Sequence, residues 1–406
     1  MNTDLQKISR FWALFWATAL FSIIFAVPYQ STMKSHSGRD YASYHYAVQS
    51  VLDRESPYDT ENLNIRAQEE GTRKEVHPFF YPPPAILSMV WLRPFTLFQG
   101  SVAYFWFNQF CLICTLTILA RWKKMNWSML CAGTVLLWPV FDSMKMGQIN
   151  LFVGLWMLLA LRFQSGLALS IAAMTKMSPA LWFFAWLVDG RWKRVGMCIL
   201  GCVGLSLLAL VFMPFSEQVH FYVDILPSFS SGAYHGLRVP ITIPANHSIP
   251  DLLNQLYPGD KDTLLSPLAK QLSGIVTVLL LGILLWCYRL LKNETSKQFM
   301  LCSFVSLMLV TPVYCYEHHL ALLLVPVLMS LQALQSYSRK VTFIGWTLLA
   351  FGGQPLFTLR WLQRSIGMGE WLLQESKFVF ILAVGVFCVW EAFKIEREER
   401  LSDSFA

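Results

Sequence analysis

Long uncharged apolar runs constrain the fold of this chain more than any other feature of its sequence. Seven of them contain 18 or more residues, which is enough for an α-helix to cross the roughly 30 Å of hydrocarbon in a bilayer. They are Phe11–Pro28, Ser101–Ala120, Val195–Ser216, Gln271–Tyr288, Gln298–Tyr316, Leu320–Ser338 and Val341–Leu359. Shorter or interrupted runs are Pro82–Leu92, Met125–Phe141, Met146–Leu161, Gly166–Val188 and Phe378–Trp390. We therefore expect an all-α polytopic membrane protein with about twelve transmembrane helices in one domain, residues 1–406.

The composition favours a membrane protein and argues against other classes. Charged residues make up 14% of the chain and hydrophobic residues 55%, a balance typical of integral membrane proteins. The nine cysteines are scattered and nearly all lie inside apolar runs, so we expect neither a disulfide framework nor a cysteine metal site. The net charge of +7 comes from short clusters beside the apolar runs, which indicate contact with anionic headgroups rather than nucleic acid.

The basic clusters also predict the orientation of the chain in the membrane. Cytoplasmic loops are enriched in Lys and Arg, and placing most clusters inside puts both chain ends, including the tail 394–406, in the cytoplasm. The polar connections 29–80 and 216–268 then become the first and second external loops. One cluster, Arg121–Lys124, falls outside under this count. The apolar run at 11–28 has no small-residue cleavage site after it, so we expect it to persist as a helix.

The start of the first external loop contains the residue most suggestive of chemistry. Asp40 is an isolated carboxylate among Tyr41, Tyr44 and Tyr46, just beyond an apolar run. A carboxylate at such an interface can take a proton from a hydroxyl nucleophile, whereas a transporter keeps its critical charges near the bilayer midplane. The alternative is a helix cap, because Asp40 also begins a helix-like pattern.

The remainder of this loop is predicted to be helical. Apolar residues at helical spacing over Ser43–Arg54 predict an amphipathic helix that lies on the membrane, and Pro57 ends it. A second, polar helix is expected over Glu61–Lys74. Asp53 and Asp59 are interpreted as solvated or turn residues rather than as catalysts.

Polar groups at the junctions of apolar runs form a second set of candidates. The consecutive prolines Pro82–Pro84 force an extended approach to the next apolar run and can hold Tyr81 and His77 toward a cavity. A plain helix start explains them as well. Further along, Gln148 and Asn150 follow a glycine. Their amides suit sugar hydroxyls, and hydrogen bonding between helices explains them equally well.

Lys176 is a stronger signal than any exposed charge, because at least twelve uncharged residues flank it on either side. A cation this deep pairs with an anion or lines a wet cavity. Two anions fit, a phosphate on a lipid carrier and the internal carboxylate of Asp142. Adjacent His318 and His319 cannot share one helix face, which argues against a zinc site. One of them can instead donate to a phosphate while Glu317 orients it.

Taken in order, these motifs resemble glycosyltransferase family 87, the polyprenyl-phosphate-mannose-dependent mannosyltransferases of the GT-C superfamily. The matching blocks are Asp40 with Tyr44 and Pro57-Tyr58, Tyr81-Pro82-Pro83, Gly147-Gln148-x-Asn150, Lys176-x-x-Pro179, Asn246-x-Ser248, and Pro312 with Glu317-His318-His319. They cover most of residues 38–335. The resemblance implies a GT-C fold, a bacterial inner membrane location and an active site on the extracytoplasmic face.

The resemblance also implies roles for particular residues. Asp40 would be the general base that deprotonates an acceptor hydroxyl for inverting displacement, and His318, His319 and Lys176 would bind the donor phosphate. The expected substrate-binding residues are Tyr44, Tyr81, Gln148, Asn150 and Asn246. The donor would be a polyprenyl-phosphate sugar, with mannose expected, and the acceptor a glycolipid or polysaccharide. Membrane lipids are the other expected partners, and nucleic acid is not.

Two other functions are open on the sequence alone. Lys176 and the proline-interrupted segments also fit a lipid or solute transporter or flippase. A polymer ligase would need an external loop with several arginines, whereas residues 216–268 contain only Arg238. We expect no cofactor and no metal, because Lys and His side chains can neutralise a monophosphate donor and no paired carboxylate site or Gly-rich phosphate loop is evident.

Overall fold

The computed structural model describes residues 39–230, 241–243, 246–259, 264–334, 337–352 and 375–404. Within these ranges the secondary structure is helical and contains no β-strand. The α-helices are α1 Arg39–Leu52, α2 Thr60–Glu69, α3 Leu97–Trp122, α4 Trp127–Leu136, α5 Trp138–Met146, α6 Asn150–Phe163, α7 Gly166–Thr175, α8 Leu181–Val188, α9 Trp192–Ala209, α10 Phe215–His220, α11 Leu226–Ser230, α12 Ile249–Leu256, α13 Pro267–Leu290, α14 Glu294–Val310, α15 Leu324–Ala333, α16 Tyr337–Gly352 and α17 Ser376–Ser404. The 3₁₀ helices are Pro83–Ser88, Val90–Leu92, Ser178–Ala180 and Glu317–Leu323, and a π-helix spans Phe221–Ile225.

Four of the described helices are long and apolar enough to cross a membrane. They are α3, α9, α13 and residues 376–403 of α17. Few residues of α9 and α13 are buried inside the protein, 22% and 11% of their apolar windows. This is expected for helices in contact with lipid, where the helix satisfies its own backbone hydrogen bonds. The all-α class and the membrane character predicted from the apolar runs are therefore confirmed.

The count of twelve crossings is not confirmed, because turns divide several of the apolar runs. The run Gly166–Val188 forms two short helices with the 3₁₀ turn Ser178–Ala180 between them, and the run Met125–Phe141 is divided at Leu137. A helix of 10 residues such as α4 is only about 15 Å long, half the thickness of the hydrocarbon. The run Phe11–Pro28 lies outside the described residues.

Helix α1 is enclosed by protein, and the prediction of an amphipathic helix lying on the membrane is wrong. It starts at Arg39, before the predicted Ser43, and Tyr44, Tyr46 and Ala47 are fully buried. Helices α2, α3 and α5 pack around it. Ser43, His45 and Tyr46, which lie outside the predicted apolar face, are buried as well. The ring of Tyr46 supplies apolar area there, so both faces of the helix can be buried.

The predicted polar helix is confirmed as α2, although it ends before Lys74. Asp59 caps it by accepting hydrogen bonds from two backbone amides of the first turn, at 3.0 and 3.2 Å. Asp53 lies at the surface and pairs with Arg66 at 2.6 Å. Both carboxylates thus have the structural roles expected of them.

The packing of the short helices brings several chain reversals to one place. Helix α6 packs against α3 and α7, and the 3₁₀ helix Glu317–Leu323 packs against α5 and α6. Gly147 is the C-cap residue of α5, and Lys176 is the C-cap residue of α7. The residues that follow α5 therefore lie beside the 3₁₀ helix. Lys176 is connected to the same 3₁₀ helix through Asn150.

Candidate active site

A cavity of about 770 Å³ collects side chains that are far apart in the sequence. Of the nine predicted site residues, those that line it are Asp40, Tyr44, Tyr81, Gln148, Lys176, His318 and His319. His77 lines it too, as the rigid proline segment suggested. The structure therefore brings most of the candidates together around one space.

Asp40 lies in the first turn of α1, and its side chain is 15% exposed. Nε2 of Gln148 donates a hydrogen bond to Oδ2 of Asp40 at 2.7 Å. Asp40 therefore lies at the end of a helix and also faces the cavity.

Two tyrosines hold Gln148 in turn. The hydroxyls of Tyr44 and Tyr81 donate to Oε1 of Gln148 at 3.1 and 3.0 Å and lie 2.6 Å from each other. Burial raises the pKa of Tyr44 well above its ordinary value, so this phenol stays protonated and acts as a donor. Because an ionised carboxylate only accepts, the amide nitrogen of Gln148 faces Asp40 and its oxygen faces the tyrosines.

Gly147 allows the chain to turn so that Gln148 reaches Asp40. Its φ of +69° is left-handed, a conformation that L-residues adopt at a cost of about 1–2 kcal/mol. A Cβ at this position would lie 2.6 Å from the Cβ of the buried Tyr41. Both the backbone conformation and the available space therefore require glycine.

Substituting Gly147 with Ala is expected to lower the free energy of unfolding by at least about 3 kcal/mol, because strain and overpacking add. The matched control is Gly71→Ala, since Gly71 has a φ of +65° and no atom within 4 Å of the added Cβ. That change should cost only about 1 kcal/mol. Denaturant unfolding in one detergent measures both variants, and equal losses would contradict the steric part of this account.

On another part of the cavity, Asn150 connects Lys176 to the 3₁₀ helix. Nζ of Lys176 donates to Oδ1 of Asn150 at 2.8 Å, and Nδ2 of Asn150 donates to the carbonyl oxygen of His318 at 2.8 Å. Asn150 itself is buried and is not among the residues that line the cavity. Its amide links a cation to the histidine-bearing segment.

Lys176 has no carboxylate partner in the described part of the chain. The ion pairs found there within 4.0 Å do not include its ammonium group, so the alternative in which Asp142 neutralises Lys176 is not supported. The amide of Asn150 is neutral, so its hydrogen bond does not compensate the charge of this ammonium. That charge faces the cavity, where an anionic ligand can approach it.

The imidazole of His318 lies between two carboxylates. Its Nε2 is 3.9 Å from Oδ2 of Asp40, and its Nδ1 is 3.9 Å from Oδ2 of Asp142. The neighbouring ring of His319 is nearly perpendicular to it at 4.4 Å and accepts a hydrogen bond at Nδ1 from the amide of Tyr316 at 3.3 Å. The two histidines thus have different surroundings, and His318 is the one next to Asp40.

Asn246 lies behind the cavity and braces its surroundings, in place of the substrate contact expected from its motif. Its amide donates to the carbonyls of Ile241 and Val313 at 3.0 and 2.9 Å and accepts from the amide of Cys315 at 2.7 Å. These bonds fasten the polar connection 216–268 to the segment that precedes the 3₁₀ helix. They engage both ends of the carboxamide.

A buried cluster that the sequence reasoning missed supports the 3₁₀ helix. Oε1 of Glu317 accepts hydrogen bonds from Nε2 of His247 at 3.1 Å and from the ammonium of Lys377. All three side chains are buried, and burial, with the nearby Lys377 charge, lowers the pKa of His247 to about 3. The neutral imidazole therefore donates to the carboxylate. The available signal was a lone lysine at the start of the last apolar run.

Comparison with known proteins gives one family. Residues 79–312, more than half of the 406 residues, match the model of glycosyltransferase family 87. Tyr81, Gln148 and Lys176 lie within the matched range, whereas Asp40 and His318 lie outside it. Comparisons with curated proteins and with solved structures gave no match.

Proposed function

Because the chain belongs to glycosyltransferase family 87, we propose that it transfers a sugar from a polyprenyl-phosphate donor to an acceptor hydroxyl, with Asp40 as the general base. Mannose is the sugar we expect. The observation that carries the proposal is that Asp40 and Lys176 line one cavity. A base for the incoming hydroxyl and a cation for the departing phosphate are what displacement at an anomeric carbon requires.

In the proposed reaction, the acceptor oxygen forms a bond to the anomeric carbon while the bond from that carbon to the phosphate oxygen breaks. The acceptor proton moves to Asp40, the electron pair leaves with the polyprenyl phosphate, and the sugar inverts its anomeric configuration. Asp40 then releases the proton to water. Gln148 occupies Oδ2 of Asp40, and no bond from the described residues occupies Oδ1, which can accept the proton.

The donor phosphate is proposed to lie beside Lys176 and the two histidines. Fixed charges and donors aimed at developing negative charge stabilise a transition state strongly in a water-poor site. Leu181, Met308 and Leu309 line the same cavity and give a prenyl chain an apolar surface. Tyr44, Tyr81 and Gln148 act chiefly by holding the base, because their polar atoms bond to one another.

The surroundings proposed for this chemistry follow the charge pattern. With the basic clusters in the cytoplasm, the cavity opens on the extracytoplasmic side of a bacterial inner membrane. The acceptor is then a glycolipid or polysaccharide of the cell envelope. We propose one membrane domain of the GT-C kind over residues 1–406.

The proposal is tested by assaying the purified protein with a panel of polyprenyl-phosphate sugars and glycolipid acceptors. Transfer is expected with inversion, fastest from the mannose donor, and unchanged by EDTA because Lys and His side chains neutralise the phosphate. Loss of activity in EDTA that Mg²⁺ or Mn²⁺ restores would contradict the metal-free part. Absence of transfer from every polyprenyl-phosphate donor, together with transfer from a nucleotide sugar, would contradict the donor class.

A further inference from the structure

Asp142 is a second carboxylate in the cavity, and the proposed reaction gives it no task. It belongs to α5, lines the cavity and has a side chain that is 23% exposed. Building on the proposed function, we infer that Asp142 accepts hydrogen bonds from two neighbouring hydroxyl groups of a substrate sugar. It is thereby a residue that determines which sugar the site accepts.

The first argument is that this carboxylate lacks a protein donor in the described part of the chain. Its polar contact is Nδ1 of His318 at 3.9 Å, which is too long for a hydrogen bond. Asp40, by contrast, has Gln148 at 2.7 Å, and Asp189 has Lys297 at 2.7 Å. A carboxylate offers about four acceptor sites, and leaving them without donors in a cavity is costly. Hydrogen-bond donors of a ligand can reach these acceptor sites from the cavity.

The second argument excludes a metal ion shared by the two cavity carboxylates. His318 presents Nε2 to Asp40 and Nδ1 to Asp142, and lone pairs on the two ring nitrogens point away from each other. One ion therefore cannot bind both carboxylates and the ring. No group of three or more His, Cys, Asp or Glu residues suited to a metal occurs in the described ranges. With a shared metal ion excluded, the hydroxyl groups of the proposed sugar substrates are the donors that we assign to Asp142.

The third argument concerns charge and position. Burial, with the nearby charge of Asp40, raises the pKa of Asp142, and the charges of Lys145 and Lys377 oppose this shift without forming an ion pair with it. Either protonation state leaves a carboxyl oxygen that can accept a hydrogen bond from a hydroxyl group. Because Asp40 lies at the other edge of the His318 ring, a sugar bound by Asp142 adjoins the reacting atoms. Both the transferred sugar and the acceptor sugar carry neighbouring hydroxyls.

The test is steady-state kinetics of full-length Asp142→Asn, with the donor and the acceptor varied separately. Asn has nearly the same shape, but one of its two ends donates instead of accepting. The KM for one substrate should rise about 10- to 100-fold, as expected for lost hydrogen bonds to a charged group, with kcat within about threefold of wild type. A rise for the donor assigns the transferred sugar, and a rise for the acceptor assigns the acceptor sugar. Asp224→Asn, at an exposed carboxylate, is the matched control and should change neither KM.

Substrates that lack single hydroxyls give a second, independent measurement on the wild-type protein. Removing a hydroxyl that Asp142 binds should lower kcat/KM at least about tenfold in wild type and have no such effect in Asp142→Asn. If Asp142→Asn does not fold, Asp142→Ser replaces it in the same comparison. Unchanged KM values, equal sensitivity of both proteins to the missing hydroxyl, or a fall in kcat alone would overturn the inference. Failure of the polyprenyl-phosphate donor with wild type would instead count against the proposed function.

Discussion

Replacing Asp40 with Asn is expected to lower the rate of sugar transfer by about 10²- to 10⁴-fold, the usual contribution of a general base. The substituted side chain keeps an oxygen that can accept the hydrogen bond from Gln148, so the geometry around it should persist. What disappears is the ability to take the acceptor proton. The measurement is kcat with a polyprenyl-phosphate sugar donor, together with the unfolding temperature of the same preparation.

Asp53→Asn is the control for this experiment. It makes the same chemical change in the same loop, at an exposed carboxylate whose pair with Arg66 is a surface salt bridge worth no more than about 1 kcal/mol. It should leave both rate and stability near wild type. Full activity of Asp40→Asn would remove Asp40 from the mechanism. An equally large loss in Asp53→Asn would show that loop charge, rather than a base, is responsible.

Much of the cavity lining could be predicted because each residue interrupts an otherwise apolar pattern. A charge or amide inside a membrane segment needs a partner or a polar space, and this physical demand identified Lys176 and Gln148 from their neighbours alone. Asp40 was recognisable for a related reason, as a lone carboxylate at the end of an apolar run. A sequence therefore shows which single residues need a polar partner or a polar space.

The connections between these residues could not be predicted. Gln148 and Asp40 are 108 positions apart in the sequence. Their contact depends on the left-handed conformation of Gly147, which packs against Tyr41 of α1. The carboxamide of Asn246 forms its hydrogen bonds with backbone groups, and a sequence does not show which backbone groups will be near. Local pattern likewise gave the number of apolar runs, while turns inside those runs decide how many of them are single helices.

The choice between an enzyme and a transporter also needed more than the site. A buried lysine in a polar cavity fits either class, and the geometry of Lys176 alone is consistent with both. Membership of glycosyltransferase family 87 decides for sugar transfer. In the proposed reaction the phosphodiester of the donor supplies the negative charge that Lys176 lacks among the described protein residues.

Replacing Lys176 with Met should lower the rate of transfer by about 10²- to 10³-fold, the loss seen when one electrostatic stabiliser of a transition state is removed. Unlike most buried substitutions, it should leave the free energy of unfolding unchanged or raise it. The reason is that an ammonium without a carboxylate partner is unfavourable in apolar surroundings. Its bond to Asn150 is to a neutral amide, and Asn150 keeps its bond to the carbonyl of His318. Activity assays and denaturant unfolding on the same protein measure the two effects.

The direction of the stability change separates a ligand-binding lysine from a structural one. Removing one partner of a buried ion pair leaves an uncompensated charge and costs about 3–5 kcal/mol, so a loss of that size in Lys176→Met would mean that the lysine has a protein anion as its partner. Lys193→Met makes the same change at an exposed position and should alter neither quantity. Retained activity in Lys176→Met would place the donor phosphate elsewhere. If Lys176 binds the donor phosphate, Lys176→Met should be slow in sugar transfer and fully stable. Burying the lysine charge destabilises the protein without donor, and donor binding compensates for that destabilisation.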